Sequence, residues 1–153
     1  MNKYDSFEEE GLSVALKTLI ILFVLIYPLF VSMYTMLPPL IGLVGYILII
    51  NIEKESTYAF APLFYLLNLD LNLSLPLLLS TFMIMVIYFF IYTPLKRLVR
   101  CKVCLLFAII IIIDSLYYIS LFLYDFMFNT TTVLADMLLV YYIVIDILIG
   151  VLL

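Results

Sequence analysis

Residues 66–79 read LLNLDLNLSLPLLL, with Asn68, Asp70, Asn72 and Ser74 at every second position and a leucine between each pair. Alternation with a period of two is the pattern of a strand. A strand at bilayer depth must be paired in a closed barrel or buried in protein, because each unpaired backbone group in hydrocarbon costs several kcal/mol. Nothing else in the chain alternates, so the segment is read as a break between helices. Asn, Asp and Ser favour turns and caps because their short side chains bond nearby backbone groups. Ser74 is expected to cap a helix that carries Pro76 in its first turn. Two uses stay open: a polar turn whose leucines touch the membrane interface, or a shaped external loop that makes a contact or covers a solute.

The surrounding composition makes the bilayer the relevant solvent. Of 153 residues, 68% are hydrophobic and 12% charged, against about 45–50% and about 25% in a soluble domain. The mean hydropathy is +1.32. A span needs about 20 apolar residues, so the chain is expected to be an all-α integral membrane protein, a bundle of about six transmembrane helices. An acidic segment at 1–11 precedes a single helical domain at 12–153, with spans expected near 12–36, 38–52, 58–72, 76–92, 103–124 and 133–153. The first apolar run is too long for the core of a signal peptide and is read as retained. Pro38 and Pro39 are expected to open the short second span, in which Gly42 and Gly45 would let a neighbouring helix approach closely.

Orientation follows from the basic residues, which accumulate in short cytoplasmic loops. With six spans and the N-terminus inside, Lys3, Lys17, Lys54, Lys96, Arg97, Arg100 and Lys102 all fall on the cytoplasmic side, which accounts for all seven cations. Both termini are then cytoplasmic, and residues 68–74 face outward. The basic loop at Lys96, Arg97, Arg100 and Lys102 is expected to set orientation and meet anionic lipid, or to dock a cytoplasmic partner. Seven scattered cations make no patch for nucleic acid.

With no histidine, no tryptophan and two cysteines, the chain lacks the usual catalytic and metal-ligating inventory, so no enzyme activity, cofactor or metal is expected. The chemistry that remains is carboxylate. Asp114 sits near the centre of AIIIIIDSLYYISLF, where a charge costs roughly 2.5–3.5 kcal/mol on insertion scales. It must hold a helix–helix hydrogen bond or contact a partner or solute. Asp136 and Asp146 are ten residues apart, close to three helical turns, so they share a face, either as a bundle seam or as a path for a cation. Asp70, Asn72, Asp114, Asp136 and Asp146 are the candidate partner or solute contacts. Cys101 and Cys104 form a lone CxxC with no second ligand pair for zinc and no thioredoxin-like setting, and are read as separate juxtamembrane thiols open to acylation. Asn72-Leu73-Ser74 and Asn129-Thr130-Thr131 fit the short glycosylation pattern, which matters only in a eukaryotic secretory pathway.

The order of these features resembles a known family. A proline-opened short span (LPPLIGLVGYILII), an Asp-containing turn rich in Leu and Ser (LLNLDLNLSLPLLL), a span ending in a basic loop (IYFFIYTPLKRLV) and a span with a central aspartate (IIIIIDSLYYISLF) are similar to the bacterial rod shape-determining protein MreD. By residue, Asp70, Leu71 and Ser74 match the family's turn, Lys96 and Arg97 its basic loop, and Asp114 its fifth-span aspartate. The resemblance implies a non-enzymatic inner-membrane component of the cell-shape and peptidoglycan elongation machinery that binds a partner such as MreC. The family is also structurally related to the substrate-binding S components of energy-coupling-factor transporters. The alternative it implies is a solute-binding membrane component in which residues 68–74 gate a pocket.

Overall fold

The computed structural model describes residues 14–34, 36–73, 75–99, 101–129 and 138–152. Among these residues every regular element is helical. Asp136, Arg100, Ser74 and the acidic N-terminal segment lie outside the described residues.

The helices are α1 (Val14–Met33), α2 (Ile41–Glu53), α3 (Phe60–Asn72), α4 (Leu79–Ile87), α5 (Thr93–Leu98), α6 (Lys102–Phe128) and α7 (Leu138–Leu152). A wider π-helical turn, Tyr88–Tyr92, joins α4 to α5 in one continuous rod. Pro94 explains that turn. It has no N–H for the carbonyl four residues back and its ring crowds that turn, so the backbone widens ahead of it. The Thr93 hydroxyl bonds the Tyr88 carbonyl at 3.2 Å across the widened turn.

Among the described residues, two helices are long and apolar enough to cross a membrane: the rod Leu79–Leu98, with 20 residues and a mean hydropathy of 1.5, and α6, with 27 residues and 2.3. Of the rest, α2, α3 and α7 have only 13, 13 and 15 residues. At 1.5 Å per residue α2 extends only about 20 Å, less than the roughly 30 Å of a hydrocarbon core.

The shortness of α2 has a structural cause, because this helix begins inside the bundle. Its first turn meets Asp114 of α6, and Asp114 lies 12 residues beyond Lys102, about 18 Å along α6. α2 is apolar all round and packs on α3, α4, α6 and α7, as a central helix should. Gly45 makes the crossing tight: a Cβ there would lie 3.0 Å from Ile84 of α4 and 3.1 Å from Ile113 of α6. α1 packs on α3.

The outer faces are apolar. Phe90 is 76% exposed, Phe126 78% and Met127 71%, whereas the core of Leu48, Ile49, Leu66, Leu69, Ile87 and Ile109 is sealed. A soluble monomer rarely exposes contiguous apolar area on this scale.

Three local expectations are corrected. Residues 68–72 are not a hinge: α3 continues through Asn72, and α4 begins at Leu79. Neither Pro38-Pro39 nor Pro76 lies in a first helical turn; α2 and α4 each start after a leucine, Leu40 or Leu78, in the left-handed conformation at φ 52° and 75°. The basic segment is largely helix, with Lys96 and Arg97 in the last turn of α5.

Candidate functional site

The polar residues of the chain converge on places where a helix is broken. Pro28 lies inside α1 and cannot donate to the carbonyl of Val24. The Asn68 amide of α3 takes that role, donating to the carbonyls of Val24 at 3.0 Å and Leu25 at 3.1 Å. Asn72, one turn further along α3, donates from its amide to the Asn68 carbonyl at 2.8 Å and to Asn68 Oδ1 at 2.9 Å, which fixes the Asn68 side chain.

Asp70, on the opposite side of α3, is fully buried. Its Oδ2 accepts the Ser80 N–H at 3.1 Å and its Oδ1 accepts the Ser80 hydroxyl. Ser80 is the second residue of α4, so Asp70 is a helix cap delivered from another helix. It supplies what a local cap residue gives elsewhere, an acceptor for a free amide of the first turn.

The start of α2 is served in the same way, from four directions. The Tyr27 hydroxyl of α1 donates to the Pro38 carbonyl and the Tyr65 hydroxyl of α3 to the Pro39 carbonyl, each at 2.8 Å. Asp146 of α7 accepts the Leu43 N–H at 3.1 Å. Asp114 of α6 lies against Gly42, where a Cβ would fall 2.7 Å from both carboxylate oxygens. The Gly42 amide faces both carboxylates. Buried backbone polar groups need partners, and here both carbonyls and the Leu43 amide are met by side chains from distant helices. Asp114 and Asp146 are both buried. One oxygen of each, Asp114 Oδ2 and Asp146 Oδ1, is unbonded among the described residues.

At the far end of α2, Glu53 accepts from the Tyr92 hydroxyl at 2.6 Å and pairs with Lys96. The Lys96 hydrogen bond, reinforced by Tyr92, holds the Glu53 carboxyl below the usual carboxylate range. This ties the turn carrying Lys54 to the turn carrying Lys96 and Arg97, so these cations share one end of the bundle. Glu53, Tyr88, Tyr92, Thr93, Lys96 and Arg97 line an open recess of about 410 Å³ there. Next to it, Cys101 caps α6, with its sulfur accepting the Cys104 N–H at 3.3 Å.

Of the candidate contacts, Asp70, Asp114 and Asp146 lie in the interior and Asn72 is half-buried. Asp70 is bonded to α4; Asp114 and Asp146 meet at α2. Lys96, Arg97 and Lys102 are exposed. The sequence reading overlooked Asn68 as a donor to α1, although a mid-helix proline, Pro28, signals that some donor is required. A groove of about 420 Å³ between α1 and α3, lined by Ile20, Val24, Phe64, Leu67 and Asn68 among others, is almost wholly apolar. Among the described residues no group of three or more His, Cys, Asp or Glu side chains could hold a metal ion.

No protein-family model matches the chain, and no curated protein and no solved structure matches it. Its class therefore comes from its own residues: a helical protein with two helices of membrane-crossing length and buried aspartates bound to its own helix ends.

Proposed function

We propose that the chain is a multi-pass inner-membrane scaffold of the MreD type, a non-enzymatic component of the cell-shape machinery that holds a membrane-protein partner such as MreC. The observation that carries the reading is the placement of the polar side chains. Asn68, Asp70 and Asp146 are bonded to broken helices of the same chain, while the outward faces carry large apolar side chains. Such a molecule is built to keep a shape in lipid and to present apolar surfaces to other helices. In this reading all six helical segments cross the membrane, with the Glu53–Lys96 end in the cytoplasm.

The solute-binding alternative needs several polar groups converging on one cavity. The α1–α3 groove offers Asn68, whose amide is already bonded to α1, so the scaffold reading is preferred.

Depletion in the source bacterium, followed by microscopy and co-purification, tests the proposal. Rounded cells and recovery of MreC with the chain are expected; normal shape with loss of uptake of a small solute would overturn it. The topology is tested in a Cys101→Ser/Cys104→Ser background. Lys54→Cys and Arg97→Cys should be labelled by an impermeant maleimide only in inverted vesicles, and Asn129→Cys only in intact spheroplasts.

A further inference from the structure

Cys101 and Cys104 were expected to be unrelated thiols for want of a suitable setting, and the fold supplies one. Cys101 is the last extended residue before α6, at φ −82° and ψ 118°, and it occupies the N-cap. That position favours Ser, Thr, Asp and Asn, whose side-chain oxygen bonds a free amide of the first turn. Here sulfur takes the role, accepting the Cys104 N–H at 3.3 Å. Cys104 stands three residues on, and the side chains at the cap and at this third position point toward each other, as in a capping box. The two sulfurs therefore share one side of the helix start, and both residues are exposed.

The electrostatics favour a thiolate at one of the two. The Cys104 thiol, and after it the Cys104 amide, hold the Cys101 sulfur below the usual thiol range. α6 is 27 residues long, so its positive end is fully developed. Lys102 follows Cys101 directly, and Lys96 and Arg97 close the preceding helix. The one acidic side chain described at this end in an ion pair, Glu53, is engaged by Lys96. A CxxC whose first sulfur caps a helix is an arrangement that makes a cysteine nucleophilic.

We propose that Cys101 and Cys104 form a redox-active dithiol that exchanges with small disulfides. The Cys101 thiolate attacks one sulfur of the disulfide, forming a mixed disulfide and releasing one thiolate, which takes up a proton. The Cys104 thiol then gives up its proton and attacks Cys101 Sγ, breaking the mixed disulfide and releasing the second thiol. The dithiol is oxidised to an internal disulfide, and the small disulfide is reduced to two thiols. The internal bond pins the connection between α5 and α6 to the first turn of α6.

The test uses the full chain in detergent micelles, equilibrated in buffers of reduced and oxidised glutathione, quenched with acid, alkylated and weighed. Both thiols are expected to disappear together, with the intact chain lighter by two hydrogens and a two-electron dependence on the buffer ratio. Cys104→Ser is expected to accumulate a glutathione adduct on Cys101. Cys101→Ser is expected to slow reaction at Cys104 by about tenfold or more relative to Cys101 in the parent chain. Independent oxidation of the two thiols, a stable adduct on the parent chain, a disulfide between two chains, or a fatty-acyl mass on either cysteine after purification from native membranes would overturn the proposal.

Discussion

Asn68 and Pro28 are one unit written in two places. A proline inside a helix removes a hydrogen bond and is tolerated when a side chain re-satisfies the freed carbonyl. Asn68→Leu is therefore expected to lower stability by about 1 kcal/mol, the cost of leaving a part-buried carbonyl unbonded. In a Pro28→Ala background, where residue 28 regains its N–H, the same change should cost much less; thermal unfolding in detergent of the four proteins measures the difference, and equal losses in both backgrounds would refute the coupling. Asp70 offers a second comparison. Asp70→Ala strands the Ser80 amide and should cost about 1–3 kcal/mol, whereas Asp70→Asn keeps one acceptor and should fall less. Ser80→Ala retains the backbone bond at 3.1 Å and should be the mildest of the three.

Helix ends explain why some of this fold was legible and some was not. The apolar runs, the prolines and the basic segments all report on chemistry within a few residues, and a described helix overlaps each expected segment, although only two of the described helices are long and apolar enough to cross a membrane. The alternation at residues 66–72 misled because two unrelated requirements fall on one helix: Asn68 and Asn72 lie one turn apart and face α1, while Asp70 lies between them and faces α4. A strand-like pattern thus arose from a helix with two polar sides. What could not be read locally is the partner of each polar group, since Leu43 and Asp146 are 103 residues apart. The start of α2 gives the sharpest test at this scale. Gly42→Ala places a methyl 2.7 Å from the Asp114 oxygens and should cost about 1–3 kcal/mol as an overpacking change. Asp114→Ala opens that space, so the Gly42→Ala/Asp114→Ala protein should fall short of the summed losses. Additive losses would place the strain elsewhere.

For the whole molecule, the Glu53–Lys96–Tyr92 cluster is the tie that joins the end of α2 to the end of α5. The Glu53 carboxyl titrates below its ordinary value of 4.5 in the folded chain. The unfolded chain therefore takes up the proton first as pH falls. The tie contributes fully above that ordinary value and is lost as pH drops through the folded value. Because Glu53 is exposed, the effect is modest. The melting temperature of the parent should decline more than that of Glu53→Gln below pH 4.5, with parallel curves above it; parallel curves throughout would show that the tie adds nothing.

The bond between Leu43 and Asp146 also sets a timetable for assembly. A ribosome adding about 5–20 residues per second needs about 5–20 s to make the 103 residues that separate them. During that interval the Leu43 amide at the start of α2 lacks its Asp146 partner. The start of α2 is thus completed only by a residue that is made 103 positions later.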